Sequence, residues 1–141
     1  MNRLDLEKRV RSITRDFNSS LFRKYDVNDY LNEAIDRCRQ LIDELDGMVY
    51  LNTDKDVPIL LPSAYHHLLA IYCASRLYHQ DEQHYQAGNL MNEFETKLAK
   101  LHDRILSGEL EIVDPNGDVV GVDAQPEYVV NTYFKMKVVD V

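Results

Sequence analysis

Glycine is scarce in this chain, with five in 141 residues, and none of G-x-x-x-x-G-K-[ST], G-x-G-x-x-G or G-x-S-x-G occurs. Loops that cradle a phosphate, or that present a nucleophilic serine on a tight turn, need glycines at fixed offsets so that the backbone can come close or take a positive φ. There is little raw material here for either. Cysteine is scarcer still: Cys38 and Cys73 stand far apart without a C-x-x-C. No signal-peptide pattern and no long apolar run accompanies them, so a reduced, intracellular setting is expected, and disulfide-stapled and membrane-spanning readings drop out.

What is present describes an acidic, soluble domain. The chain is 45% hydrophobic and 28% charged with a net charge of −8, and a single domain of this length buries roughly two thirds of the surface of its unfolded form. No nucleic-acid footprint shows in the overall charge. The charge is uneven, however. Residues 1–25 carry seven bases against three acids, about +4, and the remainder carries nine against 21, about −12. One reading is a solvated helix face. The other is a basic surface that docks on an acidic partner, with Arg9, Arg11 and Arg15 as its candidate residues.

Periodicity places the elements. Leu6, Val10, Ile13 and Phe17 recur at helical spacing over residues 3–17, and Asn18, Ser19 and Ser20 are expected to end that helix. Asp26 is the expected N-cap of a second helix, whose stripe Leu31, Ile35, Cys38, Ile42 and Leu45 runs to Gly47. Residues 48–61 lose the period and form a connector, and Pro62 suits the first turn of a third helix. Helical residues then continue for over forty positions, but the stripe of Ala64, Leu68, Ile71, Ser75 and Tyr78 is out of phase with that of Leu90, Phe94, Leu98, Leu101 and Ile105. The spacing predicts a helix hairpin turning at residues 79–83 with Asp81 as N-cap, a single bent helix being the alternative. The expected core comprises Leu31, Ile35, Ile42, Leu68, Ile71, Phe94, Leu98 and Leu101.

Beyond Gly108, LEIVDPNGDVVGV reads as a β-hairpin about a D-P-N-G turn, and YVVNTYFKMKVVDV alternates as a strand. The expected class is therefore mainly α: a small bundle of about four helices, including a helix hairpin, with a C-terminal β-hairpin and extended strand tail. Residues 1–107 form the helical domain. Residues 108–141 are either part of it or an assembly arm.

The stretch YHHLLAIYCASRLYHQDEQHYQ holds four of the five histidines. His79 and His84 are five apart and cannot chelate one ion from a continuous helix; a turn would let only His79, Glu82 and His84 meet. Surface or half-buried histidines are the better account, with Tyr65, Tyr72, Tyr78 and Tyr85 packing by their rings. His102-Asp103 lacks the further ligands of a helical phosphohydrolase. Asp114-x-Asn116-x-Asp118 lacks the glycine and the final glutamate of a calcium loop. Cys73 among Ile71, Tyr72 and Ala74 reads as an inert core thiol. No catalytic, cofactor or metal residues are assigned, which leaves contacts between proteins. Tyr128, Val130, Phe134, Met136 and Val138 line one face of the terminal strand and are the candidates there.

Taken in order, KYDVNDYLNEAIDRCRQLI, the connector ending in ILLPSAYHHLLAIYCASRLY, the short DEQ and NLMNEFETKLAKLHDRI resemble the head–tail connector (adaptor) proteins of tailed bacteriophages and prophages, over roughly residues 3–107. The resemblance implies a mainly helical, non-enzymatic structural subunit. It would form a ring, commonly dodecameric, beneath the portal protein of the virion, contact a downstream head-completion or tail protein, and extend a channel through which DNA passes without specific binding. It implies no membrane. Two other classes fit the composition: an acidic helical regulator or inhibitor of a host protein, and a small metal-dependent hydrolase.

Overall fold

The computed structural model describes residues 1–121. Its first compact unit, Met1–Leu110, is mainly helical. The α-helices are α1 (Arg3–Thr14), α2 (Lys24–Leu41), α3 (His67–Gln80) and α4 (His84–Leu106), with short 3-10 turns at Asp43–Leu45 and Ser63–Tyr65. Helix α3 packs against α1, α2 and α4. Its sequence explains why: every residue from Leu68 to Ser75 is buried, so the helix is apolar nearly all round and must sit at the centre. All eight of the expected core residues are buried.

The hairpin forms. Helix α3 ends at Gln80, Glu82 takes a left-handed φ of 60°, and α4 begins at His84, so the change of stripe is a turn and not a bend. Asp81 is not the N-cap of α4, however. It closes α3, its N–H bonding back to the Leu77 carbonyl, and Gln83 precedes α4 without a side-chain cap.

Other boundaries also differ from expectation. Helix α1 stops at Thr14 because Arg15 turns left-handed (φ 59°) and its N–H closes on the Arg11 and Ser12 carbonyls. Phe17 therefore lies beyond the end of the helix and is 72% exposed. Asn2 caps α1 in a reciprocal capping box with Asp5. Asp26 lies inside the first turn of α2, paired with Arg23, which holds the cap position. Helix α2 ends at Leu41; Ile42 and Leu45 stay buried through the following 3-10 turn. A Cβ at Gly47 would lie 3.0 Å from the terminal methyl of the Leu60 side chain, a tight contact that the leucine would have to yield to.

The connector is ordered by α1. The N–H groups of Arg3 and Leu4, which have no partner within the helix, donate to the Asp56 and Asp54 carbonyls. The Asp56 carboxylate in turn accepts from the Asn52 and Thr53 N–H groups.

In the second unit, Glu111 to Gly121 make the D-P-N-G turn. Gly117 has φ 91°, the Asp114 carboxylate accepts from the Asn116 and Asp118 N–H groups, and Val113 and Val119 form one antiparallel bridge. Among the described residues the arms do not extend into strands. The strand expected over residues 127–141 lies outside the described residues.

Candidate interaction surfaces

The three arginines singled out from the basic segment do not share a surface. Arg9 and Arg15 are exposed, whereas Arg11 is buried. The buried face of α1 is Arg3, Leu6, Glu7, Val10, Arg11 and Thr14, so ion-pair partners at i, i+4 spacing replace apolar residues on it. Glu7 pairs with Arg3 at 2.8 Å and with Arg11 at 3.1 Å; Arg3 Nε also donates to Asp54 at 3.1 Å. Arg11 further donates to Asp16 at 2.6 Å and to the Phe22 carbonyl at 3.0 Å. Two of the seven bases of residues 1–25, Arg3 and Arg11, are thus withdrawn from the surface together with two of its three acids, Glu7 and Asp16. The signal for this was in the sequence: R-x-x-x-E-x-x-x-R shares its face with Leu6 and Val10.

Asp16 does more than pair. Its carboxylate accepts the N–H groups of Ser20, Leu21 and Phe22 at 2.9–3.0 Å, which fixes the loop between α1 and α2. Burial pushes its pKa up, but these three donors and the Arg11 charge outweigh burial and hold it below the usual carboxylate range. The loop buries Phe22 and turns Phe17 (72% exposed), Leu21 (55%) and, at the start of α2, Tyr25 (72%) outward. Exposed Arg15, Arg23 and Lys24 flank them, with Arg23 over the Tyr25 ring. No sequence period marks these three as exposed.

A groove of about 320 Å³ lies between the C-terminal end of α2 and α4. Leu41, Ile42, Leu98 and Ala99 line it, and Arg37 reaches Glu95 across it at 3.5 Å. Leu41 is 46% exposed.

The histidines are divided. His66 is buried, its ring nitrogens bonded to the Leu61 carbonyl (2.8 Å) and the Met1 amine (3.0 Å), which departs from the expected surface or half-buried position. Burial lowers its pKa. His79 and His84 are exposed and meet edge to face across the α3–α4 turn, centroids 5.1 Å apart. Among the described residues no group of three or more His, Cys, Asp or Glu side chains is placed to hold a metal ion. The tyrosines also separate: Tyr72 is buried edge-on against Phe94 at 5.0 Å, Tyr78 donates to the Ile13 carbonyl, Tyr65 meets Arg104, and Tyr85 is exposed. Burial pushes the Cys38 thiol up to about 12 and that of Cys73 well above its usual value.

No described helix is long and apolar enough to cross a membrane. Comparison of the chain with protein-family models, with curated proteins and with solved structures finds no match in any of the three.

Proposed function

We propose that this chain is a structural subunit of a tailed-phage head–tail connector, an adaptor that seats on the portal of the virion and carries the DNA channel toward the tail. One observation carries the reading. The stretch whose ordered motifs resemble the connector family, residues 3–107, coincides with the helical unit built from α1 to α4, Arg3–Leu106. The resemblance implies a mainly helical body, and the helices fall in the order in which those motifs occur.

Charge supports the same role. With nine bases against 21 acids after residue 25, a channel wall built from this body offers DNA little cation contact and little counterion release, the two sources of nonspecific adhesion. The apolar row Tyr128, Val130, Phe134, Met136 and Val138 serves attachment in this reading, as a strand that joins a sheet of a neighbour.

Co-sedimentation with purified portal rings tests the proposal. The full chain is expected to co-sediment, and a chain lacking residues 127–141 is expected to stay helical but remain in the supernatant. If the shortened chain still binds, the portal contact lies on the helices. If the full chain stays behind as a monomer and instead captures a host DNA-binding protein, the regulatory alternative replaces this reading.

A further inference from the structure

We infer that Asn116 is a site of spontaneous deamidation, its side chain closing on the Gly117 nitrogen, and that the Asp114 carboxylate sets the rate by holding the turn shut. The inference goes beyond the connector reading and does not depend on it, because it concerns the chemistry of one turn.

The reactive groups adjoin in an open place. Asn116 is the one asparagine of the chain that is followed by glycine. Glycine has no Cβ to shield its nitrogen from the side chain before it, and even a Cβ built at Gly117 would meet nothing within 4 Å. The approach is clear. Asn116 is itself exposed, and among the described residues only its backbone N–H is bonded, to the Asp114 carboxylate at 2.9 Å, so its side-chain amide can swing toward Gly117.

The reaction consumes only water. The lone pair of the Gly117 nitrogen attacks Asn116 Cγ, its proton passes through solvent to the departing amide nitrogen, and ammonia leaves behind a cyclic imide. Water then opens the ring. Opening at the side-chain carbonyl gives aspartate, whereas opening at the backbone carbonyl gives isoaspartate, with an extra methylene in the main chain. Either product sets a new carboxylate between Asp114 and Asp118, against the one that ties the turn.

The turn opposes this. Gly117 N–H donates to the Asp114 carbonyl at 2.9 Å, and the Asp114 carboxylate holds the Asn116 and Asp118 N–H groups at 2.9 Å each. While these bonds stand, the Gly117 nitrogen keeps its proton and its orientation. The arms add only one bridge, through the bonds of Asp114 N–H to the Asp118 carbonyl and of Val120 N–H to the Ile112 carbonyl. Opening is therefore a local event, set by a few bonds and not by the fold.

The experiment is incubation of the full chain at physiological temperature, at neutral and alkaline pH, in buffer and in urea, followed by peptide mapping by mass spectrometry. Asp114→Ala and Asn116→Gln variants run beside it, and circular dichroism checks that they keep the helical fold. The native chain is expected to exchange NH2 for OH at residue 116, faster at alkaline pH, within about a hundredfold of the rate in urea, since a few turn bonds must open. Asp114→Ala is expected to react about tenfold faster than wild type in buffer and equally fast in urea. Asn116→Gln should stay unchanged, because its longer side chain misses the favoured ring size. Isoaspartate and aspartate should appear together, since the ring opens at either carbonyl. No product at residue 116 in the native chain, or aspartate alone, overturns the cyclic route. Equal rates for Asp114→Ala and wild type in buffer overturn the control by Asp114.

Discussion

The Arg11 guanidinium donates to the Asp16 carboxylate at 2.6 Å, and both side chains are buried. This pair ties the last turn of α1 to the loop that displays Phe17 and Leu21, so stability and surface presentation share one carboxylate. Removing one partner of a buried pair leaves an uncompensated charge, which costs about 3–5 kcal/mol. Asp16→Ala is expected to lower the unfolding free energy by that order in urea titration. A loss under about 1 kcal/mol would show that Arg11 is satisfied by Glu7 and the Phe22 carbonyl alone.

The same carboxylate sets an acid limit. Burial raises the Asp16 pKa, but the Leu21, Phe22 and Ser20 N–H groups and Arg11 bring it below the ordinary value. Asp54 is lowered too, chiefly by its hydrogen bond from Arg3. A folded-state pKa below the unfolded value of about 3.9 contributes stability that is present above that value and is lost as pH falls through the folded pKa. Urea midpoints are therefore expected to hold their contribution from these groups at neutral pH and lose it in the acid range below about pH 4. The acid loss should be smaller in Asp16→Ala. Parallel curves for the two chains would remove Asp16 from this role.

Phe94 is fully buried and meets Tyr72 edge-on. Truncation leaves a cavity between α3 and α4, and Phe94→Ala is expected to cost about 3–5 kcal/mol, a large share of the stability of a domain this size. A midpoint shift equivalent to less than about 1 kcal/mol would contradict this packing.

His79 and His84 are exposed on either side of the hairpin turn. Replacing both with Gln is expected to change stability by about 1 kcal/mol or less and to leave metal content unaltered, as read by denaturation and elemental analysis. Loss of a bound metal would show that the pair recruits a ligand that the sequence spacing does not supply.

Much of the helical body was legible because apolar spacing reports burial directly. Leu31, Ile35 and Cys38 marked α2, and the phase change between Tyr78 and Leu90 marked the hairpin turn. The buried charges were not legible in the same way. Arg3, Glu7 and Arg11 looked like a solvated face because polarity alone does not say whether partners lie within reach. Phe17 was placed on the α1 stripe by its spacing; the left-handed Arg15 and the bonds of Asp16 to the loop ended the helix before it. The candidate surface suffered most from this. Arg9 and Arg15 are exposed, Arg11 is structural, and the outward Phe17, Leu21 and Tyr25 carry no period that distinguishes them from core.

The mass of the complex between the full chain and a purified portal ring, measured by light scattering after size separation, tests the connector reading most directly. The account predicts a discrete complex heavier than the portal by a fixed whole number of copies of this chain, added as a closed ring. A portal that elutes at its own mass, with this chain recovered separately at every mixing ratio, would contradict it.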